Sequence, residues 1–110
     1  MGRGKGRNWV LVAKYSLEFL PAAQQELVQA TNWYEKQRHG LGSRFMVAVE
    51  ATLEAIKRTP MLFTVVDNNV RRARIKRFPY GIFFEFNEER IVIAAIYHAR
   101  RDPIKVEKRF

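Results

Sequence analysis

The sequence predicts an α+β fold in which a two-helix hairpin packs on one face of a largely antiparallel sheet. Two β-rich apolar runs late in the chain flank a short polar turn, which is the pattern of a β-hairpin. A third run before them alternates apolar and basic side chains, as expected of a strand with two different faces. Two segments with helical spacing of apolar residues precede these strands, and their short connection indicates antiparallel helices.

The first part of the predicted domain is a strand followed by a helix. Apolar residues alternate with polar ones along residues 15–19, which predicts a strand there. Pro21 suits the first turn of a helix, where its missing N–H has no helical partner to lose. An apolar stripe continues this helix over residues 21–38, and Gly40 then suits its C-terminal end.

A second helix is predicted over residues 43–58. Ser43 is the expected N-cap, because its hydroxyl can accept a hydrogen bond from the first turn. Pro60 stops the helix, since the residue before a proline is driven out of the helical conformation. The connector at 61–69 is expected to contain no more than a short extended piece at 63–66.

The second half of the chain predicts three antiparallel strands, at 71–78, 80–87 and 90–98. Successive side chains of a strand point to opposite faces, so the basic residues of the first of these strands share one face. The same alternation places Phe83 opposite its apolar neighbours, as an apolar residue on an open surface. The basic residues that form this ladder are Arg72, Arg74 and Lys76.

The composition excludes several kinds of site. The absence of cysteine excludes disulfides, thiol nucleophiles and thiolate metal ligands, and it suits a reducing cytoplasm. The two histidines, His39 and His98, stand far apart without clustered carboxylates, so neither a metal nor a cofactor is expected. No apolar run approaches the roughly 18 residues of a membrane span, so no membrane partner is expected.

Positive charge is concentrated in the second half of the chain. Residues 71–110 carry eleven basic and five acidic side chains, which is +6 of the net charge of +9. A field of this sign favours nucleic acid or an acidic protein as partner, with simple solubility as the alternative. Residues 1–13 are predicted to be a basic extension, disordered or derived from an upstream start site, ahead of a single domain at 14–110.

The order of elements resembles the RelE/ParE superfamily of toxins from type II toxin–antitoxin modules. The most specific motifs are Arg-Phe-Pro-Tyr-Gly-Ile at 77–82 and His-Ala-Arg-Arg-Asp-Pro at 98–103. The resemblance extends from Tyr15 to about Arg109. The second motif looks like the ParE-like branch, whose members are often labelled plasmid stabilisation proteins.

This resemblance implies a small cytoplasmic toxin that inhibits growth and is neutralised by an antitoxin encoded beside it. ParE-like members poison DNA gyrase and show no nuclease activity, whereas RelE-like members cut messenger RNA in the ribosomal A site. The ending at 98–103 and the lack of an evident acid–base set favour action on DNA gyrase. A ribosome-dependent mRNA endoribonuclease, acting as an mRNA interferase, and a non-toxic binding module on the same fold remain alternatives.

The candidate site residues depend on which branch applies. RNA cleavage needs a group that titrates near neutral pH together with cations that hold phosphate, whereas a gyrase inhibitor is not an enzyme. In the second case His98 orients the end of its strand through a backbone hydrogen bond. The catalytic candidates for a RelE-like enzyme are His98, Arg100, Arg74 and Lys76, and the partner-binding candidates are Arg72, Arg74, Lys76, Phe83, Arg100 and Arg101.

Overall fold

Two long helices and a five-stranded sheet make up the fold in the computed structural model, which describes residues 15–100 and 104–110. The extension predicted at 1–13 lies outside the described residues, as does Arg101. The elements are β1 (Ser16–Phe19), α1 (Pro21–Gln37), α2 (Leu41–Arg58), a 3₁₀ turn (Pro60–Leu62), β2 (Thr64–Asp67), β3 (Val70–Arg74), β4 (Tyr80–Asn87), β5 (Arg90–His98) and a short α3 (Ile104–Glu107).

The strands lie in the order β1-β5-β4-β3-β2. Strands β2 to β5 pair antiparallel, whereas β1 pairs parallel with β5. The two helices carry the chain from β1 at one edge of the sheet to β2 at the other edge. The α+β class, the helix hairpin and the antiparallel strands predicted from the sequence are confirmed. The sheet has one strand more than predicted, because the extended piece in the connector forms a full edge strand, β2.

Strand β3 ends at Arg74, so the predicted continuation to residue 78 is wrong. Arg77 adopts a φ of 73°, which turns the chain out of the extended conformation. The turn brings Phe78 back against the core, where its ring lies 5.1 Å from that of Phe45. The apolar and basic alternation of this segment therefore belongs partly to a strand and partly to a tight turn.

Helix α2 begins at Leu41 rather than at Ser43, and the predicted serine cap is not used. Gly40 takes the N-cap position with a φ of 89°. The carboxylate of Glu35 accepts hydrogen bonds from the backbone N–H groups of Gly40 and Gly42, at 3.0 and 2.9 Å. A carboxylate from the preceding helix thus replaces the local cap, since the first N–H groups of a helix lack helical partners.

The main core lies between the two helices and one face of the sheet, which we call the helix face. Strand β5 contains one extra residue, Ala94, relative to β4, and this bulge shifts the alternation of its side chains. Ile91, Ile93 and Ile96 consequently all belong to the main core. The helices contribute Ala23, Ala30, Tyr34, Phe45, Val49 and Ile56.

The other face of the sheet, the far face, forms a second apolar cluster that the C-terminal segment covers. Phe83 lies on this face and is only 2% exposed, packed in one cluster with Tyr97 and Val106. The expectation that Phe83 is an open surface residue is therefore wrong. The cause is α3, a helix of four residues that leaves no periodic signal in the sequence.

Candidate partner-binding groove and basic turn

A groove of about 1000 Å³ lies between α2 and the turn at 75–79 that joins β3 to β4. Small and apolar side chains on the outer side of α2 form one wall, and Phe63 and Phe78 contribute aromatic surface. Val47, in the middle of this wall, is 66% exposed. The contributors from α2 are Leu41, Ser43, Arg44, Val47, Ala48, Ala51, Thr52 and Ala55.

This wall is a second apolar stripe on α2, separate from the stripe that faces the core. Val47, Ala51 and Ala55 recur every four residues, so they lie above one another on one side of the helix. Sequence reasoning identified the buried stripe and missed this one. The same four-residue spacing was the available signal, because a helix that is apolar on two sides has more apolar surface than its own core requires.

Four cations border the groove, and none of the described residues that line it is acidic. Arg44 belongs to α2, Arg74 ends β3, and Lys76 and Arg77 lie in the turn. The left-handed φ of 73° at Arg77 costs a non-glycine residue about 1 kcal/mol or more. A cation is therefore held at the groove in an unfavourable backbone conformation.

The basic residues of the predicted ladder line a second pocket, of about 530 Å³, at the start of β4. Arg72 is half-buried, and its aliphatic stem crosses Gly81, where an added Cβ would lie 3.2 Å from Cγ of Arg72. Arg74 and Lys76 border both this pocket and the groove. The structure thus brings together three of the predicted partner-binding residues.

His98 ends β5 and pairs with Tyr80, whose ring it meets edge to face at 5.5 Å. Its Nδ1 accepts a hydrogen bond of 3.3 Å from the backbone N–H of Arg100. Arg74 pairs with Gly81, so strand alternation places it on the face opposite His98. The histidine and this cation, predicted together as catalytic residues, do not share a face of the sheet.

The remaining described candidate, Arg100, and a search for metal-binding groups do not extend this site. Arg100 is exposed at the end of the sheet. Within residues 15–100 and 104–110, no three His, Asp or Glu side chains are grouped as a metal site would require. No helix in these ranges has the length and apolar character needed to span a membrane.

The fold and the groove define a small basic α+β protein with an apolar, positively bordered surface suited to a partner. Residues 17–103 match the family model described as the ParE toxin of the type II toxin–antitoxin system parDE. The match covers most of the 110 residues, and the chain belongs to this family of toxins. None of the curated proteins matches the chain in sequence.

Two solved structures share the fold. The chromosomal ParDE toxin–antitoxin system from P. aeruginosa is 18% identical and superposes with a TM-score of 0.59, over 78% of this chain and 97% of that chain. The toxin–antitoxin complex RelBE2 from Mycobacterium tuberculosis is 20% identical with a TM-score of 0.57, over 77% of this chain and 98% of that chain. These similarities confirm the RelE/ParE-like fold that the sequence predicts.

Proposed function

We propose that this ParE-family toxin inhibits growth by acting on DNA gyrase in the cytoplasm, and that a cognate antitoxin holds it inactive. The proposal makes the chain a binding inhibitor rather than an enzyme. Membership of the ParE family supports the role of a toxin with an antitoxin, because the family description names the type II toxin–antitoxin system parDE. The names of both structural neighbours refer to toxin–antitoxin systems, which supports an antitoxin as partner.

The observation that carries the choice of target is that His98 and Arg74 lie on opposite faces of the sheet. Cleavage of RNA by its own 2′-hydroxyl needs proton-transfer groups and cations around a single phosphate. Strand alternation puts His98 and Arg74 on opposite faces, and Nδ1 of His98 already accepts the hydrogen bond from Arg100. A protein that traps gyrase has no proton to transfer and does not need these groups together.

One observation favours the second candidate, a RelE-like ribosome-dependent mRNA endoribonuclease. Arg72, Arg74 and Lys76 meet around a pocket that Tyr80 also lines, and guanidinium groups bind phosphate well. Such an enzyme would need an acid–base pair supplied by the tyrosine or by the ribosome. The experiment below therefore follows RNA as well as DNA.

Controlled expression of the chain in a bacterial host separates these functions. We expect growth arrest, double-strand DNA breaks, altered plasmid supercoiling and intact transcripts, all reversed by expression of the adjacent antitoxin gene. We also expect His98→Gln to remain toxic, because glutamine keeps a hydrogen-bonding side chain and no proton needs to move. Codon-phased mRNA cuts with intact DNA would select the endoribonuclease, and unimpaired growth would select a non-toxic binding module.

A further inference from the structure

We propose that the outer side of α1 is the contact surface for a second copy of this chain, in a dimer with two-fold symmetry. This outer side is an arc of exposed residues that points away from the main core. Its members are Gln25, Val28, Gln29, Asn32 and Trp33. Self-association through this surface is independent of the toxin's target.

Two large apolar side chains are exposed on the outer side of α1. Val28 is 54% exposed and Trp33 is 55% exposed. The ring of Trp33 lies edge to face against that of Tyr34, a residue of the main core, with 5.1 Å between the ring centroids. Tryptophan is among the side chains that contribute most to protein interfaces, and one that is already ordered loses less freedom on binding. Trp33 therefore has the properties of an interface anchor.

The outer side of α1 is uncharged, although the chain as a whole is strongly basic. Charged residues make up 28% of the sequence, yet Glu26 is the only one between Pro21 and Tyr34. The carboxylate of Glu26 is already paired with Arg109, at 2.7 Å. Two chains that each carry a net charge of +9 repel wherever their cations meet, so a neutral surface suits their contact. A polyanion or an acidic protein would gain no charge attraction there.

The side-chain amides on this surface suit a two-fold axis. In a symmetric dimer, a residue on the axis meets its own copy. A carboxamide has both donors and an acceptor, so two identical glutamines can hydrogen-bond to each other, whereas two identical charged side chains cannot. Gln29 is the middle residue of α1, and Gln25 and Asn32 lie about one turn to either side. The axis is therefore placed at Gln29.

An antiparallel pairing of two α1 helices about Gln29 matches two further features. A pocket of about 530 Å³ lies one turn before Gln29, and Trp33 lies one turn after it, so the axis brings each Trp33 to the level of the pocket on the other protomer. The two Lys36 side chains stay about 21 Å apart at 1.5 Å per residue, well beyond the Debye length of roughly 8 Å. The pocket is lined by Pro21, Gln24, Gln25, Val28 and Gln29.

The dimer should be weak, and salt should strengthen it. One side of one helix per chain buries less than the roughly 1,200 Å² of standard interfaces, so we expect a dissociation constant of about 10–100 µM. Added salt screens the repulsion between two chains of net charge +9, while the contact itself is uncharged. An interface held by ion pairs would weaken with salt instead.

A pair of lysine substitutions tests where the two copies meet. Sedimentation equilibrium of the purified full-length chain, from about 1 to 500 µM, spans the expected dissociation constant. Trp33→Lys places a cation on the outer side of α1, and Leu62→Lys places one in the 3₁₀ turn, where the leucine is 79% exposed. We expect Trp33→Lys to weaken the dimer by about tenfold or more and Leu62→Lys to change it by less than about twofold.

Two substitutions of Gln29 test the symmetry of the contact. Gln29→Lys and Gln29→Glu each put two like charges at the axis, so each variant alone should dimerise about tenfold or more weakly than the wild-type chain. An equimolar mixture of the two variants brings opposite charges together and should dimerise at least as tightly as wild type. Gln29 is exposed, so both variants should fold, and circular dichroism checks this.

The possible results separate failure of this inference from failure of the proposed function. A wild-type chain that stays monomeric up to the highest concentration would overturn the dimer, as would a dimer that Leu62→Lys disrupts and Trp33→Lys does not. A mixture of the Gln29 variants that dimerises no better than either alone would overturn the axis at Gln29. None of these results bears on whether the chain inhibits gyrase.

Discussion

Arg109 and Glu26 form a bidentate ion pair that joins the C-terminal segment to α1, with hydrogen bonds of 3.0 and 2.7 Å. Arg109 also donates to the carbonyl oxygen of Ala94 at 2.7 Å, and Glu26 accepts from the backbone N–H of Ile96 at 3.0 Å. Pairing with β1 stops at Ile93, so these backbone groups lie on an uncovered edge of β5. The side chains of the ion pair thus bond the free backbone groups of that edge, which would otherwise be open to pairing with another chain.

Replacing Arg109 should loosen the C-terminal segment. Arg109→Ala leaves the carboxylate of Glu26, which is 19% exposed, without its cation. We expect a loss of about 1–3 kcal/mol in the free energy of unfolding, as for a buried group that loses its partner. Hydrogen exchange at the Ile96 amide should also accelerate. Lys108→Ala, at an exposed neighbouring position, is the control, and equal behaviour of the two variants would show that the ion pair does not hold the segment.

Gly42 should tolerate alanine less well than Gly40. A Cβ on Gly42 would lie 2.9 Å from the carbonyl oxygen of Thr31 and from Oε1 of Glu35, whereas a Cβ on Gly40 meets nothing within 4 Å. We expect Gly42→Ala to cost about 1–3 kcal/mol through overpacking. Gly40→Ala should cost about 1 kcal/mol, for its positive φ alone. Urea unfolding measures both, and a smaller cost at Gly42 would contradict the close packing of the hairpin.

Glu35 should make the helix hairpin sensitive to acid. The backbone N–H groups of Gly40 and Gly42, and then the nearby His39, hold the pKa of Glu35 below its ordinary value of 4.5. A carboxyl whose pKa is lower in the folded state stabilises the fold above its unfolded pKa, and this contribution disappears as the pH falls through the folded pKa.

The glutamine variant isolates this contribution. Glu35→Gln should lower the free energy of unfolding at about pH 7 and change it progressively less as the pH falls below about 4. Glu50→Gln, at an exposed position on α2, is the matched control. A difference between Glu35→Gln and wild type that stays constant with pH would show that the ionised carboxylate does not cap α2.

Replacing Arg77 with glycine should stabilise the fold. Arg77→Gly removes the penalty of the left-handed conformation, so we expect a gain of up to about 1 kcal/mol in stability. Asn68→Gly relieves another positive φ, of 47°, and should gain less, because asparagine tolerates the left-handed conformation better than arginine does. Loss of stability in Arg77→Gly would contradict the strained turn.

The parts of the fold that sequence analysis predicted have local periodic signals. The hairpin of β4 and β5 follows from two apolar runs around a polar turn, and the turn itself forms with positive φ at Glu88 and Glu89. The burial of Phe83 was missed because it depends on a four-residue helix that comes from the end of the chain. The start of α2 was missed because its cap is Glu35, seven residues before Gly42.

The candidate site likewise has one part with a local signal in the sequence and one part that depends on how distant elements pack. The basic ladder was visible in the alternation of β3, and Arg72 and Arg74 do meet around one pocket. The groove depends on how α2 lies against the β3–β4 turn, so Val47 has no functional signal of its own in the sequence. Likewise, separation of His98 from Arg74 follows from strand pairing, which fixes the faces of the sheet.

The most direct measurement of the proposed function is a supercoiling assay with purified components. Relaxed plasmid, DNA gyrase and ATP are incubated with the chain, and the same chain is tested for codon-phased cutting of mRNA on purified ribosomes. We expect the wild-type chain and His98→Gln to block supercoiling and to trap cleaved DNA, the antitoxin to restore supercoiling, and the mRNA to stay intact. Unaffected gyrase together with mRNA cutting that His98→Gln abolishes would contradict the proposed function.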